Sequence, residues 1–590
     1  MIAQFSNSKM GPMKEPPPLR KLTIVAKDPG LHLGGPEGPM AITQVAVPAE
    51  ILAKGPTGYR IKVVDYNATE RRAYLDQQDY QDPQGELVDP FACREGETLD
   101  DASYQDRLIR DPNFHAQNVY AIAMRTLGIF ERALGRRVSW SSGGHQLHIA
   151  PHAFAQANAF YSKEDRALLF GYFFGAKGKP VYTCLSHDII AHETTHALID
   201  GLRSRYTEPS RPDQAAFHEG FADIIALLSI FSLKPVVAAA IGKDGSVLEG
   251  EQAIGLVAAS KLDPDSIRSS ILLGLAQEVG VALEGAERGA LRQSVKMSPQ
   301  EGQALRVSDD EHRRGEVIVA AMMNTFVELW SKRVATLGRF DGDRYNLGSV
   351  VEEGAKLAQH LLNIAIRALD YCPPCDIDFS QYLASMLTAD REMVPEDEFH
   401  YRDTIRNQFA AFGVGLPDTG CDSEGCWTRY ANPGGLVYAR SNYAAMTRNR
   451  DEFFRFLWEN REALGISQRA YTEVLSIDSA SRVGPDGLML HETICQYVQR
   501  VDIFGAEFKS VLGAERPAGM RTTDRVTAYG GGVVILDQYG QVKYHIANRV
   551  EDGKRQRERA EYLMENGQLA AREGPDRLHF SLLHREQMGG

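Results

Sequence analysis

"AHETTHALID", residues 191–200, sets two histidines four positions apart with a glutamate directly after the first. On a helix, residues i and i+4 stack on one face, about 5–6 Å apart at Cβ. His192 and His196 can therefore aim two imidazole nitrogens at a single point. Glu193, one position on, is turned ~100° about the axis. It would flank a metal held by the two rings, where a general base belongs, instead of filling the metal's shell. The polar face of an ordinary helix can carry the same spacing, so the rest of the chain has to decide between them.

A catalytic zinc needs three protein ligands and an open position. "DQAAFHEGFADIIALL", 213–228, supplies the third on another strongly apolar helical run. Glu219 and Asp223 are again i and i+4. Glu219 completes a His₂Glu shell, and Asp223 can accept a hydrogen bond from the other ring nitrogen of a ligand histidine, fixing its tautomer. His218 is a competing ligand, but it points ~100° away from Glu219. The alternative is a salt-bridged surface on one helix and a buried carboxylate pair on the other. It has to bury charges that, unpaired, would cost several kcal/mol.

The 590-residue chain is 43% hydrophobic and 24% charged, ordinary globular usage that suggests two to four domains. A net charge of −13 argues against nucleic acid or an anionic membrane as main partner. The short basic run "GKRQRER", 553–559, reads as a solvated helix face. The apolar segment 221–242 is interrupted by Asp223 and by Lys234-Pro235, so it reads as buried helix, not membrane span. Seven cysteines and no recognisable secretory signal suit a reducing compartment, with the cytoplasm as the expected location.

Residues 1–20 read as disordered, 21–66 as short strands and 70–112 as loop. A helical pattern covers 114–136, and "HQLHIAPHAFAQANAFYS" and "ALLFGYF" read as strands. Residues 185–410 are mostly helical by periodicity. A helix is expected at 450–464 and a hairpin within 529–546, whose triple glycine lacks the Lys-Ser/Thr of a phosphate loop.

Taken together, "DIIAHETTHALID" and the glutamate of "HEGFAD", 23 positions after His196, resemble the thermolysin-like gluzincin metalloproteases. "NFHAQNVYAIAMRTLGIFERALGRRVSW" looks like their N-lobe helix, and "NAFY", 158–161, resembles their substrate-edge strand. "DFSQYLASMLTADREM", ending at "NQFAAFGVG", resembles their closing C-lobe helices. The resemblance covers about 111–415 and implies an α+β, two-lobed core with a β-rich N-lobe and a helical C-lobe. It also implies zinc held by His192, His196 and Glu219, with Glu193 as general base. Asn158 and Ala159 would bind peptide backbone, and His312, in "DDEHRRGEVIVAAMMNTF", would stabilise the transition state. Tyr206 lies near the place of an assisting family tyrosine but is offset.

Family members are usually secreted and bind calcium through acids after the glutamate ligand. Here "LLSIFSLKPVV" occupies that place, and Asp188 is read as a cap of the zinc helix. The expectation is an unprocessed N-terminus and activity indifferent to calcium-selective chelation.

"CPPC", 372–375, and "CDSEGC", 421–426, are read as inert thiols ahead of a structural zinc or redox pair. His145, His148 and His152 are read as surface or satisfied core histidines. "YLMENG", 562–567, matches an exopeptidase motif by coincidence, since that motif precedes the zinc helix where it functions. Residues 416–590 show no chemistry and are expected to bind or cap, offering a surface for a protein partner. The expected function is a zinc metalloendopeptidase acting on a peptide or protein. The alternatives are a zinc-holding binding or scaffold protein and a highly selective protease for one partner.

Overall fold

The computed structural model describes residues 19–29, 41–74, 78–141, 144–175, 178–208, 210–242, 245–246, 255–268, 294–340, 343–483, 487 and 489–569. The expected disordered start therefore lies outside the described residues as far as 18. Leu19 already opens a strand. That strand, β1 (Leu19–Val25), pairs antiparallel with β2 (Ile42–Pro48).

After a short strand β3 (Ile61–Val63) the chain enters two helices, α1 (Ala102–Arg110) and α2 (Pro112–Leu134). Helix α1 occupies the end of a stretch expected to be loop. Its charged residues dilute the apolar signal, yet Tyr104, Gln105 and Leu108 all turn to one buried face. Helix α2 starts where local chemistry starts it. Asp111 accepts a hydrogen bond from Asn113 N at 2.9 Å, and Pro112 at the first turn has no N–H to leave unpaired. It is buried nearly all round, packing on β1, β2 and the zinc-motif helix.

A second sheet follows from β4 (Leu147–Phe154), β5 (Ala159–Ser162), β6 (Ala167–Phe174) and β7 (Pro180–Tyr182). Its order is β3-β4-β6-β5, with β7 also pairing β6. Strands β3, β4 and β6 run parallel, whereas β5 is antiparallel to β6 and ends the sheet.

The helical part comprises α3 (His187–Leu202), α4 (Pro212–Phe231), α5 (Glu311–Ala335), α6 (Leu347–Ala368), α7 (Phe379–Met393) and α8 (Tyr401–Ala411). Helix α4 is long and apolar enough to cross a membrane by length and composition, but its apolar window is wholly buried within the protein. The N-cap position of helix α3 is Ser186, whose side chain makes no cap hydrogen bond, and not Asp188 as expected. Asp188 sits inside the first turn and makes a buried 2.6 Å ion pair with Lys27, which follows β1. A partner more than 150 residues distant overrides the local capping preference.

Beyond residue 416, helix α9 (Arg450–Glu459) precedes a four-stranded antiparallel meander of β8 (Tyr471–Val483), β9 (Met489–Phe504), β10 (Arg525–Leu536) and β11 (Val542–Asn548). The expected hairpin is β10–β11, turned by Asp537, whose side chain accepts from Tyr539 N and Gln541 N at 2.9 Å. The triple glycine lies inside β10. Helix α10 (Gly553–Glu565) carries the basic run read as solvated, and Lys554 and Arg557 are exposed as expected. Arg559, however, is buried against Asp376 at 2.5 Å and Arg555 reaches Asp378 at 3.0 Å. The acids that neutralise this face lie nearly 180 residues upstream, out of reach of any local pattern.

The meander is joined to the helical part by buried charge. Asp370 accepts from Arg136 through both oxygens, at 2.7 and 2.8 Å, and from Arg482 of β8 through Oδ2, all three side chains being buried. Burial disfavours the Asp370 carboxylate, but Arg136 and Arg482 outweigh it and hold the carboxyl well below its usual range. Asp370→Asn would leave two guanidinium groups poorly compensated and should cost about 3–5 kcal/mol in urea unfolding at pH 7. Because the folded pKa is depressed, that contribution is present above the unfolded carboxyl value of ~3.9 and is lost as pH falls below it. The stability gap between parent and variant should hold steady from pH 7 to about 5 and narrow below that; an unchanged midpoint at pH 7 would show that the pair braces nothing.

Candidate metal centre

Helices α3 and α4 pack against each other, and α4 packs against α5. The α4–α5 approach is unusually close. A Cβ on Gly220 would stand 2.6 Å from the Gly315 carbonyl oxygen, and one on Gly315 would stand 2.7 Å from that of Ala216. Only glycines allow backbones to meet this way. One residue before Gly220 is Glu219, and three before Gly315 is His312, so the contact carries both side chains to the same place.

There the nitrogens and oxygens converge. His192 Nε2 lies 2.9 Å from His196 Nε2. Glu219, with no exposed surface, sets Oε1 3.4 Å from His196 Nε2 and Oε2 3.6 Å from His192 Nε2. His312 Nε2 is 3.2 Å from Glu219 Oε2. His312 is held at the start of α5 by Asp310, which caps the helix by accepting from His312 N at 2.9 Å. The start of α4 is tied to α5 by Asp213, which pairs with Arg314 at 2.6 Å and Arg306 at 3.1 Å.

The proton inventory suits a cation. Asp223 Oδ1 lies 2.7 Å from His192 Nδ1, so that nitrogen donates and Nε2 of the neutral ring presents a lone pair toward His196. Burial disfavours charge on both rings. At His192 the Asp223 carboxylate outweighs burial and raises the pKa, whereas at His196 burial and the neighbouring His192 lower it. His192, His196 and Glu219 form a donor set that could hold a divalent ion.

Glu193 stands beside this set, with ligand atoms of His192, Glu193 and His196 all within 4.8 Å of one another. Its Oε2 accepts from the backbone N–H of Tyr161, in β5, at 2.9 Å. Tyr161 is the residue that sequence reasoning passed over. It stands in the quoted "NAFY", but an anchor made through a backbone amide leaves no mark on residue type. Its hydroxyl is fixed in turn by Asp200 Oδ2 at 2.9 Å, on α3, and Lys163 holds the other Asp200 oxygen at 2.8 Å.

Asn158 and Ala159 lead into β5 and are both buried. The Asn158 Oδ1 accepts from Ala159 N at 2.7 Å, and its carbonyl accepts from Gly171 N at 2.8 Å, so this residue shapes the strand's start. Three other residues of the sequence reading take packing roles, His152 as the satisfied core histidine expected. Tyr206 is fully buried and donates to the Pro373 carbonyl at 2.6 Å, a packing anchor. The His218 ring stacks on His196 at 4.6 Å, bracing that ligand candidate. His152 is buried and joins a separate cluster with His115 and Cys184. Cys372, Cys375 and Cys426 are buried free thiols, and the two cysteine motifs do not appear among the converging ligand groups of the described residues.

A scan against protein-family models finds no match to this chain, and a search of curated proteins finds none either. Metal binding can be tested directly. Asp223→Asn should lower affinity for zinc about 10–100-fold, as loss of an outer partner does elsewhere, and Glu219→Ala should lower it further. Competition titration against a chromophoric chelator measures both; equal affinity in the Asp223 variant would mean that this carboxylate does not orient the ring.

Proposed function

We propose that this protein is a zinc-dependent metalloendopeptidase with a thermolysin-like core. The observation that carries the proposal is the convergence of His192, His196 and Glu219 with a carboxylate, Glu193, held beside them. A bound zinc ion would supply Lewis acidity, lowering the pKa of a water and polarising a scissile carbonyl.

The chain's own residues account for the rest. Glu193 would take a proton on its carboxylate and deliver it to the leaving amine. The Tyr161 amide fixes where that carboxylate waits. His312 would donate from Nε2 to the oxyanion that develops at the attacked carbonyl. Strand β5 ends its sheet, and strand alternation puts the Ala159 backbone on the same outward side as Tyr161. An extended peptide could therefore add to this edge through the Ala159 carbonyl, whose own N–H is taken by Asn158 Oδ1, and run past Glu193. A scaffold that only held zinc would have no use for a proton acceptor positioned in this way, which disfavours the binding-protein alternative.

Glu193→Gln is nearly isosteric and keeps all three ligands, so zinc content should be unchanged. It cannot accept a proton, and turnover of a peptide library should fall at least about 10²–10⁴-fold. Most of that loss should appear in kcat, because the interaction exists only in the transition state. His192→Ala should lose zinc and activity together, and His312→Ala should keep zinc while losing mainly kcat. Metal analysis and hydrolysis assays on the same preparations separate these outcomes. A parent that holds zinc but cleaves nothing, or a Glu193→Gln variant as fast as the parent, would overturn the proposal in favour of a zinc-scaffolded binding protein.

A further inference from the structure

A second set of ligand atoms lies outside this centre. The imidazoles of His115 and His152 and the thiol of Cys184 place their ligand atoms within 4.8 Å of one another, and all three residues are buried. They come from three elements: α2, β4 and the short turn Thr183–Leu185 that leads into α3. The register of β4 against β6 shifts between Ala150 and Phe154. Pro151, His152 and Ala153 are consecutively buried there, and irregularities of this kind re-aim a side chain.

Hydrogen-bond accounting shows what these rings lack. His115 Nε2 lies 2.8 Å from the Ile109 carbonyl oxygen, which can only accept, so this nitrogen carries the hydrogen. His152 Nδ1 lies 2.9 Å from both oxygens of Asp65, so it also donates. The remaining nitrogens, His115 Nδ1 and His152 Nε2, face each other at 2.8 Å. In neutral rings, both would be lone pairs. Something positive has to stand between them: an extra proton on His152, or a metal cation. Ligand histidines characteristically donate their second N–H to a carboxylate or a backbone carbonyl, and here one ring does each. The Asp223–His192–His196 arrangement repeats the carboxylate half of the pattern, with facing nitrogens 2.9 Å apart.

The sulfur decides between proton and metal. A proton shared by two imidazoles needs no thiol, whereas Cys184 is the ligand that a soft or borderline cation selects. We propose that His115 Nδ1, His152 Nε2 and Cys184 Sγ form a second, buried site for a thiophilic transition-metal cation of the zinc kind. Binding would release two protons to solvent, the one that otherwise stands between the two rings and that of the Cys184 thiol. The thiolate and the Asp65 carboxylate would then balance a doubly charged ion in the interior. The rings of Tyr182, 4.8 Å from His115, and Tyr74, 5.3 Å from His152, wall the cluster. A site so enclosed suits a structural role, tying α2 and β4 to the turn that launches the zinc-motif helix.

Cobalt(II) tests this independently of peptidase activity, because only a sulfur ligand gives an intense near-ultraviolet charge-transfer band. Full-length protein stripped by chelation should take up about two equivalents of cobalt, as expected of two pre-built sites, and develop that band. Cys184→Ser should lose the band and about one equivalent, while His192→Ala should lose the other equivalent and keep the band. Circular dichroism of the stripped Cys184→Ser protein establishes that it is folded. The parent alone can overturn the proposal, whatever the variants do, if it is folded, takes up cobalt and shows no sulfur band. Persistence of the band in Cys184→Ser would overturn it as well, by assigning the sulfur to another cysteine.

Discussion

Glu219 is a carboxylate with no exposed surface, in the middle of an apolar helix. A charge in that position costs several kcal/mol unless other groups compensate it. The Nε2 atoms of three imidazoles, His192, His196 and His312, stand within 3.6 Å of its oxygens. They arrive from two helices that have to be brought against α4 from different sides. Much of the helical architecture follows from this requirement. The glycine contact between α4 and α5 draws His312 in, while the Asp213 pairs with Arg306 and Arg314 fix the axial position of one helix against the other.

Elsewhere, buried polar groups join separate elements. Lys27 and Asp188 link the first hairpin to the zinc-motif helix. Within α2, Asn118 accepts from Val25 N at 2.9 Å and donates to the Cys184 carbonyl at 3.0 Å, so one side chain joins β1 to the turn before α3. His187 donates to or accepts from Ser229 Oγ at 3.1 Å, and its pKa is pushed down to about 3 by burial, so the ring joins α3 to α4 without carrying charge. Each link crosses between elements, and together they hold the donor set steady.

The C-terminal meander belongs to the same scheme. Asp370, Asp376 and Asp378 lie between α6 and α7, and each receives arginines from beyond residue 480. The Asn548 side chain adds a hydrogen bond to the Cys375 carbonyl at 2.9 Å. This polar seam explains why Arg555 and Arg559 of α10 turn inward.

Local physics determined what the sequence alone could tell. Helical spacing puts His192 over His196 and Glu219 over Asp223, Asp111-Pro112 starts α2, and Asp537 turns the last hairpin, because each depends on neighbours a few residues apart. The same reasoning puts a polar pair on each of two apolar helices, whereas the α+β fold was expected from the family resemblance. Tertiary structure alone decided which of these meet. His312 reaches Glu219 through a glycine contact, Tyr161 reaches Glu193 through a backbone amide, and Asp188 pairs with Lys27 instead of capping its helix. His115, His152 and Cys184 come together from three separate elements. Periodicity reports dihedral geometry along the chain, whereas a buried partner is set by packing between distant segments, where the cost of an uncompensated charge selects the arrangement.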